Sequence, residues 1–161
     1  MAITETRGVR NRNPGNIDYN PANQWQGQLK PDPAIEKRFA RFDSPENGIR
    51  ALGKLLLTYQ RKHGLKTVKT IISRWAPSME NDTAAYVRAV EASTGTRPDT
   101  DVDLGQPAVM TGFVKAIIHH ENAGYAYPDA VVAEGVRRAL ERRRCRSWPA
   151  RRWWRWCWCW C

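Results

Sequence analysis

Few residues in this chain have the types and spacing needed for chemistry. All four cysteines lie at or after position 145, so the first 144 residues have neither a thiol nucleophile nor a cysteine-ligated zinc site. The three histidines, at positions 63, 119 and 120, lack the helical spacing that presents two ligands on one face. No glycine-rich phosphate loop or GxSxG motif is present. We therefore expect no metal and no cofactor, and carboxylates become the candidates.

Glu121 is the strongest candidate among the carboxylates. It ends the most apolar predicted helix, immediately before Asn122-Ala123-Gly124. Partial burial disfavours the charged form of a carboxyl, and a general acid must hold its proton near neutral pH. The alternative is that His119, His120 and Glu121 form an ordinary polar helix end facing water, and the spacing alone favours that alternative.

Five predicted helices follow residue 43 and would position this carboxylate. Each shows apolar residues at helical spacing. The first predicted helix begins after a capping signal at Asp43 and ends at Gly64, and Thr67 caps the second. Asp82 starts the third, and the last two begin near Pro107 and Pro128.

The segment before these helices predicts short strands. Asn13-Pro14-Gly15-Asn16 is a turn signal. Residues 17–19, 25–29 and 37–42 are predicted as strands, separated by a loop with two prolines at 30–33. The sequence thus predicts an α+β fold, mainly α, in which a small N-terminal β-lobe packs on about five helices within one domain, 1–141.

The formal charge of +10 is concentrated at the end of the chain. Nine arginines face one acidic residue between positions 137 and 155, so the rest of the chain is close to neutral. Six of the eight tryptophans also lie in the last 14 residues. We interpret 142–161 as a basic tail that is not part of the core, and the near-neutral remainder argues against a nucleic-acid-binding protein.

Two interpretations of 142–161 remain open. Arginines that bind lipid phosphates and tryptophans at the interface would suit contact with an outer membrane. Alternatively, in the shifted reading frame Trp156–Trp160 becomes Val-Leu-Val-Leu, as expected for the by-product of an overlapping gene. The alternating cysteines form neither a metal knuckle nor a disulfide framework.

Four short segments, in a fixed order, resemble the lysozyme superfamily of glycosidases. Residues 13–17 (NPGNI), 25–27 (WQG) and 39–44 (FARFDS), followed by the helix from Gly48, are similar to the flagellar and autolysin glucosaminidases. Residues 81–87 (NDTAAYV) resemble the Tyr-Val helix of lytic transglycosylases, and the opening from Arg7 resembles phage peptidoglycan hydrolases. The resemblance spans about 7–140 and implies a lysozyme-like fold.

The resemblance implies a peptidoglycan glycosidase, either a muramidase or a lytic transglycosylase, that cleaves the β-1,4 glycan backbone for phage lysis. In the superfamily the catalytic glutamate precedes the β-lobe, where this chain has only Glu5. We therefore predict a circular permutation, with Glu121 as general acid beside Asn16 and Tyr19, and Glu5 as the fallback.

The predicted substrate-binding residues are mainly aromatic, since an aromatic ring matches the apolar face of a pyranose. Trp75 is assigned to the core instead. Asp18, Glu36 and Asp43 are candidates for a second carboxylate; without one, the sugar's own hydroxyl would close the ring, as in lytic transglycosylases. The predicted substrate-binding set is Asn16, Tyr19, Trp25, Tyr86, His120 and Tyr125.

The expected partners are peptidoglycan glycan strands, and we expect a monomer. Without a signal peptide, we expect synthesis in the host cytoplasm and action on the periplasmic cell wall after release, or from outside through the basic tail. The alternative function is that of a non-catalytic virion or cell-wall-binding structural protein.

Overall fold

A computed structural model describes residues 5–77 and 83–141. Within these ranges the chain forms six helices and no strand. None of the described helices is both long and apolar enough to cross a lipid bilayer. The helices are α1 (Arg7–Arg10), α2 (Pro45–His63), α3 (Val68–Trp75), α4 (Thr83–Thr94), α5 (Pro107–Glu121) and α6 (Asp129–Leu140).

Local signals set the ends of α2. Ser44, rather than the predicted Asp43, caps the helix, and its hydroxyl accepts a hydrogen bond from the N–H of Asn47 at 3.3 Å. Pro45 occupies the first turn, where its missing N–H costs nothing. Gly64 ends the helix with φ 66°, a left-handed conformation that glycine adopts without strain.

The core lies between α2, α5 and α6, and α4 covers the other side of α5. Gly135 of α6 lets two helices approach closely, since a Cβ there would lie 2.5 Å from the Cγ2 of Ile49 in α2. Most of the inward face of α5 is fully buried, which fixes the end of this helix, and Glu121 with it. The buried residues of α5 are Met110, Gly112, Phe113, Val114, Ile117 and Ile118.

The shorter helices α3 and α4 follow the predicted order. Thr67 caps α3 through a capping box with Thr70, as the sequence indicates. The predicted start of the next helix at Asp82 lies outside the described residues, and α4 is described from Thr83. The predicted tail, 142–161, also lies outside them, and α1 was not predicted.

The predicted lysozyme-like α+β fold with an N-terminal β-lobe is wrong: the protein is mainly α, and in its described part the segments predicted as strands form none. Residues 11–44, here called the long loop, contain only isolated antiparallel bridges: Asp18 with Phe39, Gln28 with Phe42, and Asp32 with Glu36.

Side chains explain why these bridges do not extend into strands. Asn13 is fully buried, and its side-chain amide donates to the carbonyls of Ile17 and Ala40, both at 2.9 Å. The Glu36 carboxylate accepts the N–H groups of Arg38 and Phe39 at 3.0 and 3.3 Å. The Ile17 carbonyl also accepts the N–H of Ala40 at 2.9 Å, as in a sheet. Side chains satisfy the neighbouring backbone groups that a longer ladder would need, so the alternating pattern of 37–42 produces only isolated bridges.

Candidate functional site

A cleft of about 660 Å³ opens between the long loop, α2 and the C-terminal ends of α3 and α5. We call it the Glu121 cleft. Its walls combine two carboxylates, aromatic rings, amides and two arginines, a mixture that suits a polar ligand with apolar faces. The residues considered below are Asn16, Asp18, Asn20, Asn23, Arg38, Leu55, Tyr59, Arg74, Trp75 and Glu121.

Two neutral donors from distant parts of the chain hold the Glu121 carboxylate. The indole Nε1 of Trp75 donates to Oε1 at 3.2 Å. The amide Nδ2 of Asn16 donates to Oε2 at 3.3 Å and to the backbone carbonyl of Glu121 at 3.4 Å. The carboxylate is therefore fixed in the cleft without a cationic partner within salt-bridge distance among the described residues.

Asn122 joins the end of α5 to the long loop. It is 1% exposed, and its Nδ2 donates to the carbonyls of Pro14 at 2.8 Å and Ile118 at 3.0 Å. Its Oδ1 accepts a hydrogen bond from the hydroxyl of Thr6 at 3.0 Å. One buried amide thus satisfies groups from three segments and positions the neighbouring Glu121.

The turn before Asn16 brings its amide to the carboxylate. Asn16 has φ 47°, a left-handed conformation that asparagine tolerates better than most residues. Asn13 anchors the turn, because its Oδ1 accepts from the N–H of Ile17 at 3.0 Å. Glu121 therefore lies beside Asn16, one of the two neighbours expected for a permuted general acid.

Tyr86 and His120 lie outside the lining of the Glu121 cleft. Their rings stack with centroids 3.9 Å apart. Tyr86 is 2% exposed, and burial first, then the negative charge of Glu121, raises the pKa of its hydroxyl well above the usual range. Tyr86 therefore stays protonated. Neither of these two predicted binding residues therefore lines the cleft.

The other predicted site residues lie elsewhere. Tyr19 is half-buried in the long loop outside the lining of the Glu121 cleft. Tyr125 is 39% exposed and packs edge-on against Tyr127. Burial first, then Tyr125 and Glu5, raises the pKa of Tyr127 to about 12, which places Glu5 near that ring rather than in the cleft lining.

Trp25 lines a separate pocket of about 370 Å³, which we call the Trp25 pocket. Asn23 lines both this pocket and the Glu121 cleft, so the two adjoin. Its lining consists of Ala22, Asn23, Gln24, Trp25, Arg50, Lys54 and Thr58.

Sequence reasoning missed three residues of the cleft. Trp75, expected in the core, lines the cleft and donates to Glu121. Arg74 and Tyr59 also line it, with the guanidinium 5.3 Å from the ring centroid. The place of Trp75 at the end of a helix, just before Ala76-Pro77, is a signal that could have identified it as a cleft residue, because a tryptophan N–H usually has a polar partner.

Of the three candidates for a second carboxylate, Asp18 alone lines the Glu121 cleft. Asp18 is paired with Nε of Arg38 at 2.7 Å. Asp43 instead accepts a hydrogen bond from Asn47 at 2.7 Å. Glu36 is buried, and backbone and side-chain donors lower its pKa to about 2. In the described ranges no three potential ligands are grouped to hold a metal ion.

Comparison with known proteins identifies one phage relative. Protein P5 of Pseudoalteromonas phage PM2 is 37% identical over 132 residues, which are 80% of this chain and 79% of that protein. No model of a known protein family matches the chain. The name of the phage relative states no activity.

Proposed function

The chain belongs to the same family as Protein P5 of Pseudoalteromonas phage PM2. From the geometry of the Glu121 cleft we propose that it is a phage peptidoglycan glycosidase. The main observation that supports this proposal is the Glu121 carboxylate, which Asn16 and Trp75 hold in a cleft of about 660 Å³. A positioned carboxyl beside uncharged donors suits general acid catalysis of glycosidic bond cleavage.

In the proposed reaction Glu121 donates its proton to the oxygen that leaves the β-1,4 bond. The bond between that oxygen and the anomeric carbon breaks, and positive charge develops on the sugar ring. The N–H groups of Asn16 and Trp75 orient the carboxyl, and they stabilise the carboxylate that remains after proton transfer. Fixed geometry matters here because misplacement by about 1 Å can lower a rate about a hundredfold.

The cleft favours ring closure over attack by water. Asp18 is the second acidic residue in the lining, and Arg38 holds it in an ion pair. In the described part of the lining, the candidate for a base opposite Glu121 is therefore Asp18, and it is already paired with a cation. We propose that Glu121, now a carboxylate, takes the proton of the sugar's own primary hydroxyl while the oxygen of that hydroxyl bonds to the anomeric carbon. This forms an anhydro sugar without consuming water, as in a lytic transglycosylase.

Aromatic and amide groups supply the proposed sugar contacts. The rings of Tyr59 and Trp75 line the cleft and can stack on the C–H faces of a pyranose. The side chains of Asn20 and Asn23 lie in the same lining and can hydrogen bond to hydroxyl and acetamido groups. The chain would act on the cell wall, and its bound partner would be the glycan strand.

The test is digestion of purified peptidoglycan by the full chain and by Glu121→Gln. Glutamine preserves the size of the side chain and keeps one of the two acceptor oxygens, but it cannot donate the acid proton, so cleavage should fall at least a hundredfold. Glu91→Gln is the matched control, since Glu91 lies in α4 outside the Glu121 cleft. Circular dichroism confirms that each variant is folded.

The products distinguish the outcomes. Glycan fragments lighter by one water molecule than hydrolytic fragments would support ring closure, and hydrolytic fragments would support a muramidase. Equal cleavage by wild type and Glu121→Gln would discard the proposed acid. A folded protein that sediments with peptidoglycan without cleaving it would instead establish the alternative, a non-catalytic cell-wall-binding protein.

A further inference from the structure

The N-terminal helix α1 packs against the two amides that place Glu121, although none of its residues lines the Glu121 cleft. Gly8 is a buried residue of this helix. Asn16 comes from the long loop and Asn122 from the end of α5, and the side-chain oxygens of both lie against Gly8. A segment outside the cleft is therefore in direct contact with both supports of the carboxylate.

Gly8 leaves no room for a side chain. A Cβ at this position would collide with Oδ1 of Asn122 and would lie 3.0 Å from Oδ1 of Asn16. The backbone oxygen of Asn13, also 3.0 Å from that Cβ, closes the space on another side. Non-bonded carbon and oxygen atoms normally approach only to about 3.3–3.6 Å. The two amides can therefore occupy their present positions because residue 8 has no side chain.

The Asn16 amide lies between Gly8 and the Glu121 carboxylate. Its Nδ2 donates to Oε2 of Glu121 at 3.3 Å. Its Oδ1 is buried and accepts no hydrogen bond from the described residues. Since no described donor holds that oxygen, packing against Gly8 limits how far the amide can turn. A change of shape at Gly8 thus reaches the carboxylate through one side chain.

The Asn122 amide joins α1 to the end of α5. Its Oδ1 accepts from the hydroxyl of Thr6 at 3.0 Å, and its Nδ2 donates to two backbone carbonyls at 2.8 and 3.0 Å. The amide cannot turn away from a methyl group at Gly8 without breaking a buried hydrogen bond. Any displacement of Asn122 acts directly on Glu121, its neighbour in the chain.

We propose that Gly8 is a positioning residue for the general acid: the bare backbone of α1 sets where the Asn16 and Asn122 amides lie, and these amides set where Glu121 presents its carboxyl. This inference rests on the proposed function. Because α1 does not line the cleft, it acts on proton transfer and leaves substrate affinity unchanged. A misplacement by about 1 Å can lower a rate about a hundredfold, so a partial shift should lower kcat about tenfold.

The first test measures kcat and KM of Gly8→Ala on solubilised glycan strands. We expect kcat to fall about tenfold while KM stays within about twofold, since only the positioning of the acid changes. The matched control is Gly53→Ala in α2, where a Cβ would lie 2.6 Å from the Cβ of Ala139. It creates a similar clash in the core and should leave kcat of the folded protein unchanged. Equal kcat in the two variants, or a rise in KM alone for Gly8→Ala, would overturn the inference.

Nuclear magnetic resonance supplies a readout that needs no activity. The indole N–H of Trp75 donates to Oε1 of Glu121, and its signal is identified by its loss in Trp75→Phe. Trp75 is not among the nearest neighbours of a Cβ at Gly8. Movement of this signal in Gly8→Ala, but not in Gly53→Ala, therefore reports a displaced carboxyl. An unmoved signal would overturn the inference.

Thr6→Val covers the case in which Gly8→Ala does not fold. Valine removes the hydroxyl that donates to Asn122 and adds no volume. The loss of this bond should lower kcat roughly fivefold and move the Trp75 signal. No change in either quantity would count against α1 as the support of the acid.

The two readouts separate this inference from the proposed cleavage. A Trp75 signal that moves in Gly8→Ala, in a protein that cleaves no glycan, would uphold the link from α1 to Glu121 and refute the glycosidase. Cleavage with a kcat and a Trp75 signal that neither Gly8→Ala nor Thr6→Val alters would refute the link and uphold the glycosidase.

Discussion

Glu36→Gln should remove a pH-dependent part of the stability of the fold. The Glu36 side chain is 4% exposed, and its Oε2 accepts from Nδ2 of Asn11 at 2.9 Å and lies 3.4 Å from Nε of Arg7. Its Oε1 accepts the N–H groups of Arg38 and Phe39. These donors, the N–H of Arg38 first and Asn11 second, lower the pKa of Glu36 from 4.5 to about 2.

The size and sign of the effect follow from this pKa. A fall from 4.5 to about 2 corresponds to about 3 kcal/mol of unfolding free energy at neutral pH. Because the folded-state pKa is the lower one, the stabilisation is present above the unfolded value and is lost as the pH falls from 4.5 towards 2. At a pH of about 3, roughly 1 kcal/mol should remain.

Urea unfolding of wild type and Glu36→Gln at pH values of about 7 and about 3 measures this directly. The unfolding free energies should differ by about 2–3 kcal/mol at the higher pH, because glutamine keeps only one acceptor oxygen, and by about 1 kcal/mol or less at the lower pH. The control is Glu134→Gln, which removes the same charge from a surface cluster with Arg137 and Arg138 and should have a much smaller effect. A difference that is equal at both pH values would refute the reasoning.

Three other substitutions test how the site is built. Asn122→Ala removes a buried amide with three hydrogen bonds and should lower the unfolding free energy by about 2–3 kcal/mol in urea titrations; an unchanged midpoint would contradict its positioning role. Trp75→Phe deletes the N–H that orients Glu121 and should lower kcat/KM for peptidoglycan about tenfold while the protein stays folded by circular dichroism; full activity would show that this bond is dispensable. Gly48→Ala places a Cβ against the backbone carbonyl of Arg12, which cannot rotate away, so thermal unfolding should show a loss of more than about 2 kcal/mol; an unshifted melting temperature would show that the long loop can move.

The sequence determined the helices because their signals are local. Pro45 and Gly64 bound α2 through backbone conformations that each residue favours wherever it occurs. Thr67 caps α3 through a hydrogen bond three residues away. The apolar spacing of α5 likewise marked its buried face. Such signals need no knowledge of the rest of the chain.

Only the tertiary structure decided that the predicted strands do not form. The alternating pattern of residues 37–42 is real, and isolated bridges join it to Asp18 and Gln28 within the long loop. A sheet, however, needs partner backbone groups along its length, and Asn13 and Glu36 take three of those groups, Ala40 C=O, Ile17 N–H and Arg38 N–H, with their side chains. Whether a distant amide or carboxylate arrives at a backbone group cannot be determined from periodicity.

The candidate site was likewise predictable from the sequence only in part. Glu121 stood out in the sequence because its residue type and its place at the end of an apolar helix are local properties. Asn16, which is 105 positions away, was expected beside it only through the resemblance to a known superfamily, and Trp75, which is 46 positions away, was not expected there. Trp75 looked like a core residue since its spacing matched the apolar face of α3. Composition and periodicity determine which side chains a helix offers, but the packing of α3, α5 and the long loop decides which of them share a cleft.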